Sequence, residues 1–262
     1  MNILCLGDIV GQPGRDILTQ ELSSIQSHHN IDFTVANIEN AAAGFGFNQK
    51  IYNELLALNI DAFTSGNHVY AKRDVMQDFD SFDVLVRPLN FPKQHPGTGV
   101  RLFDCNGCKI ALINIIGRVF MNLSDCPFKA MDDVLKTVDA DIVLVDFHAE
   151  TTSEKQAMGW FLDGKVNVIF GTHTHVQTAD CRVLSKGTGY VSDIGMCGAY
   201  DSVIGMDKTI SVQKFITQLP DRHQPVKNPS EYVIGALIIT IEDQQVRDIN
   251  MMHKVYSNEK TN

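Results

Sequence analysis

The stretch IVLVDFHAETTSEKQAMGWFLDGKVNVIFGTHTH, residues 142–175, reads as strand, helix, strand. Ile142–Phe147 and Val166–Phe170 are short apolar runs rich in β-branched residues, and Ser153–Leu162 between them has helical spacing. Ser153 reads as the N-cap of that helix, with Gln156 at the N3 position. The same alternation extends outward. Asn2–Leu6, Phe33–Ile38, Ala62–Ser65, Val84–Arg87, Lys109–Ile116 and Gly189–Val191 read as strands, and Gly14–His28, Gln49–Leu58 and Met131–Thr137 as helices. Asn106-Gly107 reads as a tight turn between two strands. Tyr232–Glu242 and Gln245–Lys254 read as a hairpin, preceded by a loop over the Pro-rich, polar Leu219–Ser230. No linker, repeat or low-complexity segment interrupts the pattern. The class is α/β with a mixed sheet system, in one domain over residues 1–262.

Composition narrows the function. The 262 residues are 44% hydrophobic and 20% charged, which excludes disorder, collagen and coiled coil. No apolar run approaches the ~20 residues of a transmembrane helix. The start, MNILCLGDIVG, lacks a basic flank and carries Asp8 where a signal peptide would stay apolar, so a cytoplasmic location is expected. The net charge of −9, from 22 Lys+Arg and 31 Asp+Glu, disfavours stable DNA binding and membrane association. Action on a phosphate then requires a local reversal of the field, which bound metals provide. The six cysteines, at 5, 105, 108, 126, 181 and 197, are scattered and read as buried thiols rather than disulfides.

The strand ends are the informative feature. The first strand runs into Gly7-Asp8, the second into Asn37-Ile38-Glu39-Asn40 and the third into Gly66-Asn67-His68. Later ones run into His148-Ala149-Glu150 and Gly171-Thr172-His173-Thr174-His175. Ligands of open α/β sheets bind beyond the carboxyl ends of strands, so these residues should share one edge. Oxygen and imidazole donors without thiolate suit Mn, Fe, Zn or Co and differ from a structural zinc site. His173 and His175, two apart, face the same way if the backbone is extended. Six or seven candidate ligands exceed one tetrahedral ion and suit two ions sharing a carboxylate. Two ions ~3.5–4 Å apart are the usual apparatus of phosphoester cleavage.

These segments, with Asp8-Ile9-Val10-Gly11, Thr151-Thr152-Ser153-Glu154-Lys155, Val176-Gln177-Thr178-Ala179-Asp180 and Asp193-Ile194-Gly195-Met196-Cys197-Gly198, resemble the bacterial YmdB-type metallophosphoesterases. The resemblance runs in order from Met1 to about Lys254. It implies the calcineurin-like fold, a four-layer α/β/β/α sandwich of two mixed sheets with flanking helices. It also implies a dinuclear centre, iron foremost with manganese or zinc as alternatives, and hydrolysis of small 2′,3′-cyclic nucleotides. Asp8, Asn40 and His175 would hold one ion, and Asn67, His148 and His173 the other. Glu39 would bridge, a metal-bound hydroxide would attack phosphorus, and His68 would protonate the departing oxygen. The wider calcineurin-like enzymes carry a His where Val10 stands and an Asp bridge in place of Glu39, which gives Asn40 weight as a replacement ligand.

Taken singly, the residues are weak signals. Asp8 and Asn67 would pass for turn residues, His148 for a structural histidine and His68 for a residue that only orients a ligand. Their conjunction at successive strand ends carries the metal reading. Glu150 and Asp180 suit either the orientation of imidazoles or a solvated surface, and Asp193 either support of the site from the next strand end or a structural role in its turn. Gly7, Gly11 and Gly14 match no phosphate-loop pattern and read as turn formers. Cys105-Asn106-Gly107-Cys108 reads as a hairpin rather than a metal or redox pair. Phe45 suits stacking on a base or packing of its own loop, and His28, His29, His95, His223 and His253 read as surface or structural. A phosphomonoesterase or phosphoprotein phosphatase using the same metals is the rival activity. A regulatory interaction protein with a residual metal site is the rival class, and a homo-oligomer is compatible with the chain. The acidity and the lack of an aromatic RNA-recognition motif disfavour RNA binding.

Overall fold

Alternation over the first half of strand β1 (Asn2–Ile9) sets the architecture. Ile3 and Cys5 face one side and Leu4 and Leu6 the other, and all four are buried. A strand covered on both faces must lie in a central sheet with a layer on either side. In the structure, a computed structural model describing residues 1–220 and 224–258, that is where β1 sits. It pairs in parallel with β2 (Phe33–Asn37), which pairs in parallel with β3 (Ala62–Thr64). On its other side lie β10 (Met196–Ala199), parallel, and the antiparallel hairpin of β11 (Glu231–Glu242) and β12 (Gln245–Ser257). The second sheet has the order β4 (Val100–Cys105), β5 (Cys108–Ile116), β6 (Ile142–His148), β7 (Val168–Thr172), β9 (Gly189–Val191), β8 (Arg182–Val183). Its four middle strands are parallel and its two edge strands antiparallel.

The sheets face each other across Ile3, Cys5, Phe33 and Val35 from the first and Leu112, Leu144, Val168 and Phe170 from the second. Helices α1 (Gly11–His28) and α2 (Gln49–Leu56) cover the outer face of the first sheet. Helices α4 (Pro127–Val134) and α5 (Thr152–Leu162) cover that of the second. Short α3 (Arg73–Gln77) and α6 (Lys208–Thr217) complete the α-helices among the described residues, and a single 3-10 turn spans Phe79–Ser81. This is the four-layer sandwich expected. No helix among the described residues is long and apolar enough to cross a membrane.

Several boundaries differ from expectation. Val84–Arg87 is not a strand: it adds a single parallel bridge, Leu85 to Phe63, beside β3. The helix expected over Met131–Thr137 begins at Pro127, whose ring suits the first helical turn, and ends at Val134. Helix α5 begins at Thr152, so Thr151 rather than Ser153 is its N-cap, and Thr151 makes no side-chain cap bond. Asn106 and Gly107 both have positive φ, the signature of a tight hairpin turn, and Cys105 and Cys108 flank it as thiols. The loop expected over Leu219–Ser230 is irregular where described, and residues 221–223, His223 included, lie outside the described residues.

Candidate metal centre

The space between the sheets changes character toward the carboxyl ends of the parallel strands. Along β6 the inward positions run Ile142, Leu144, Asp146, His148, along β7 Val168, Phe170, Thr172, and along β2 Phe33, Val35, Asn37. One alternation thus passes from core to a buried polar layer and then to the site. Asp8 joins the layer through a bulge. The β1–β2 register shifts between Leu6 and Asp8, which sets Asp8 opposite Asn37. Bulges re-aim side chains in this way. Gly7 permits it, because a Cβ there would lie 2.2 Å from the Gly195 carbonyl oxygen.

Two groups of side chains meet at this edge. In the first, His148 Nε2 lies 3.0 Å from Glu39 Oε1, 3.0 Å from Asn67 Oδ1 and 3.1 Å from His173 Nδ1. Glu39, His148 and His173 form the one cluster of three or more carboxylate, imidazole or thiol residues with metal-site spacing among the described residues. Glu39 Oε1 is buried and, despite its closeness to His148, accepts no aligned hydrogen bond. Its other oxygen, Oε2, accepts the His68 backbone N–H at 2.9 Å. Gly66 makes room, since a Cβ there would lie 2.3 Å from the His148 ring and 2.4 Å from Glu39 Oε2. In the second group, the Asn40 amide Nδ2 lies 3.1 Å from His175 Nε2 and 3.4 Å from Asp8 Oδ1, and His175 Nε2 lies 3.7 Å from Asp8 Oδ1. A half-turn of that amide would offer its oxygen instead.

The second nitrogen of each imidazole decides what the first can do. Thr172 Oγ1 donates its hydrogen to Asp146 (2.7 Å), so His148 Nδ1 donates to Thr172 at 2.8 Å. His175 Nδ1 donates to the Ile204 carbonyl at 2.9 Å, and His173 Nε2 to Glu150 at 2.9 Å. In neutral form each ring therefore turns a lone pair toward the site, the tautomer a metal needs. Three tethered lone pairs beside a carboxylate oxygen without a donor fit a metal centre. Without metal, protons fill the role. Burial alone would raise the Glu39 pKa, but the adjacent His148 charge, together with the His68 N–H, brings it to about 2. Burial pushes His148 down, yet Glu39, with Asp8 and Asp146, lifts it to about 9. Burial and the His148 charge lower His173 to about 3. Burial raises Asp8, and raises Asp146 to about 6.

The expectation that His173 and His175 face one way on extended backbone is overturned. Both lie beyond β7 at φ of 97° and 64°, so they diverge, one to each group. Backbone strain of this kind concentrates at functional sites. His68 stands at the rim. Its Nε2 is 3.1 Å from the Asn67 amide nitrogen, and its ring meets the Phe45 ring edge-on at 4.9 Å. Glu150 orients an imidazole, whereas Asp180 bonds Thr178 and Ser192 and touches no ligand. Asp193 braces the loop of His173 through Thr174. Of the remaining histidines, His28 and His29 meet edge-on, His95 packs against Tyr70 and Phe91, and His253 against Tyr200.

Sequence reasoning missed the supports Thr172, Asp146 and Lys155, and the buried carboxylate of Glu154. The first two were legible in principle as polar residues on the inward positions of apolar strands. Lys155 and Glu154 look like ordinary helix charges. Yet Lys155 is buried against Asp193, and the Glu154 carboxylate accepts the backbone N–H groups of Arg118 and Val119.

Residues 4–252 match the model of the YmdB-like protein family. The chain is 40% identical over 253 residues to the 2′,3′-cyclic-nucleotide 2′-phosphodiesterase of Bacillus subtilis strain 168, covering 96% of this chain and 95% of that one. Among solved structures it resembles a hypothetical protein from Thermus thermophilus, with a TM-score of 0.93 and 34% identity over 97% of this chain and 99% of that one. It also resembles a protein from Mycoplasma pneumoniae described as a novel phosphatase, with a TM-score of 0.92 and 31% identity over 99% and 95% of the two chains.

Proposed function

The chain belongs to the YmdB-like family, and on that premise we propose that it hydrolyses small 2′,3′-cyclic nucleotides at a centre of two transition-metal ions. The observation that carries the metal reading is the set of three imidazoles, each tied at one nitrogen and turning the other toward the site. Asn67, His148 and His173 would hold one ion, Asp8, Asn40 and His175 the other, and Glu39 both. Iron is the foremost candidate on the family resemblance, and the oxygen and nitrogen donors suit manganese or zinc as well. When bound, the ions would neutralise the phosphate oxygens and lower the pKa of the attacking water.

The remaining chemistry belongs to the chain. Asn67 presents Oδ1 toward His148 and its Nδ2 toward His68, so one amide sets both a ligand position and the neighbouring imidazole. With Nε2 accepting from that amide, neutral His68 carries its proton on Nδ1. The imidazolium, in which an Nε2–H replaces the lone pair that accepts from Asn67, would give a proton to the departing ribose oxygen and return to this neutral form. Phe45, edge-on to His68, restrains the ring.

Metal analysis of protein purified without added metal, paired with a substrate panel, tests the proposal. We expect about two ions per chain at full loading. Turnover of 2′,3′-cyclic nucleotides should exceed that of phosphomonoesters, stop on chelation and return with metal. One ion at full loading would overturn the dinuclear assignment, and a preference for monoesters would favour the phosphatase reading.

A further inference from the structure

Lys155 and Asp193 form a fully buried ion pair beneath the site, with Lys155 Nζ 2.6 Å from Asp193 Oδ2. Neither residue hydrogen-bonds the side chain of a candidate ligand, but both hold the chain that bears His173 and His175. Lys155 Nζ also donates to the Thr172 carbonyl oxygen at 2.8 Å. Asp193 Oδ2 accepts from the Thr174 backbone N–H at 3.1 Å and from its hydroxyl at 2.8 Å. Asp193 is itself fixed: its Oδ1 accepts from Gly195 N–H and its own N–H donates to Thr178, each at 2.9 Å. The clamp thus grips Thr172 and Thr174, the residues either side of His173, and Thr174 directly precedes His175. Both histidines have positive φ, a strained conformation that persists only where surrounding contacts impose it.

We propose that Lys155 is a positioning residue whose pair with Asp193 holds the strained 172–175 segment, so that one clamp sets an imidazole in each half of the centre. Stability alone is a poor reason for the pair. Desolvation of two buried charges consumes most of their attraction, and an apolar pair of similar volume often serves the fold as well. What an apolar pair cannot supply is the set of directed bonds to Thr172 and Thr174. The inference rests on the metal reading above, and it predicts coupling: loss of the clamp must weaken both halves, whereas loss of Glu150, which touches only His173, must weaken one.

Titration calorimetry of the metal-free protein with Mn²⁺ tests this, beside the melting curve. The wild type should show two binding events. The double substitution Lys155→Met with Asp193→Asn avoids stranding a buried charge. It should leave the melting temperature of the metal-free protein within a few degrees and weaken both events 10- to 100-fold, the usual effect of losing an outer contact to a metal ligand. Glu150→Gln should weaken one event. Should the double variant fail to fold, Thr174→Val decides, with a severalfold loss expected in both events. Unaltered binding in a folded clamp variant, or loss in one event alone, would overturn the clamp. Absence of Mn²⁺ binding in the wild type would instead overturn the metal reading and the clamp with it.

Discussion

Glu39 is where a change of one atom should do most. Its Oε1 lies beside His148 Nε2 without an aligned donor, while Oε2 is held by the His68 N–H. Glu39→Gln keeps the volume and removes the charge. It should abolish detectable turnover and lower the metal content below two ions per chain, with the far-UV spectrum unchanged. Elemental analysis of the folded variant checks this, and full occupancy with robust activity would remove Glu39 as the bridge. His68 calls for a different contrast. His68→Ala should retain both ions and lose about 10²–10⁴-fold in rate on cyclic nucleotides, the usual worth of a general acid. The loss should shrink on a nitrophenyl phosphodiester, whose leaving group needs no proton. Equal losses on good and poor leaving groups at full metal occupancy would leave His68 as an orienting residue only.

The turn after β3 should tolerate nothing larger than glycine. Gly66→Ala would drive a methyl group into the His148 ring and Glu39. Overpacking typically costs about 1–3 kcal/mol, and here the yielding groups would be the candidate ligands. The variant should therefore lose metal affinity out of proportion to its fall in melting temperature, and normal metal content would contradict the packing described. The strands that carry the site were legible because period-two burial on both faces writes itself as apolar runs, and Asp8, Glu39, Asn67 and His148 close those runs. The divergence of His173 and His175 was not, because positive φ leaves no mark on a His-Thr-His triplet. Helix α6 escaped notice for another reason. Of its residues only Ser211 is buried, while Val212, Phe215 and Ile216 are exposed, so no buried stripe marks it. Strand β10, four residues including Gly198, is too short to show a period. Lys155 and Asp193 meet across 38 positions of sequence, and nothing local announces the pair.

At the scale of the whole molecule, metal binding, proton binding and folding should be linked. Two sheets and two helical layers provide a core that stands without metal, so chelation should lower the melting temperature rather than unfold the chain at room temperature. Free metal at a hundredfold over its dissociation constant adds about 2.7 kcal/mol by mass action, or roughly 5–10 °C for a chain of this size. The sign of the pH dependence follows from the Glu39–His148 pair. His148 is raised to about 9 in the metal-free fold, so its stabilising contribution is complete below the ordinary histidine pKa and disappears as pH rises through about 9. Glu39 is lowered to about 2, so its contribution is present above the ordinary carboxylate range and is lost as pH falls toward about 2. To accept a metal, His148 must give up the Nε2 proton that this pairing retains. Between pH 6 and 9 each ion bound at His148 should release about one proton, and affinity should rise up to about tenfold per pH unit. Melting curves with and without Mn²⁺ at pH 6, 7 and 8 should therefore separate progressively as pH rises. Calorimetric titrations in buffers of different ionisation enthalpy should show that proton leaving. A metal-induced shift that is flat across this range, with no proton released, would mean that His148 does not change partner from proton to metal.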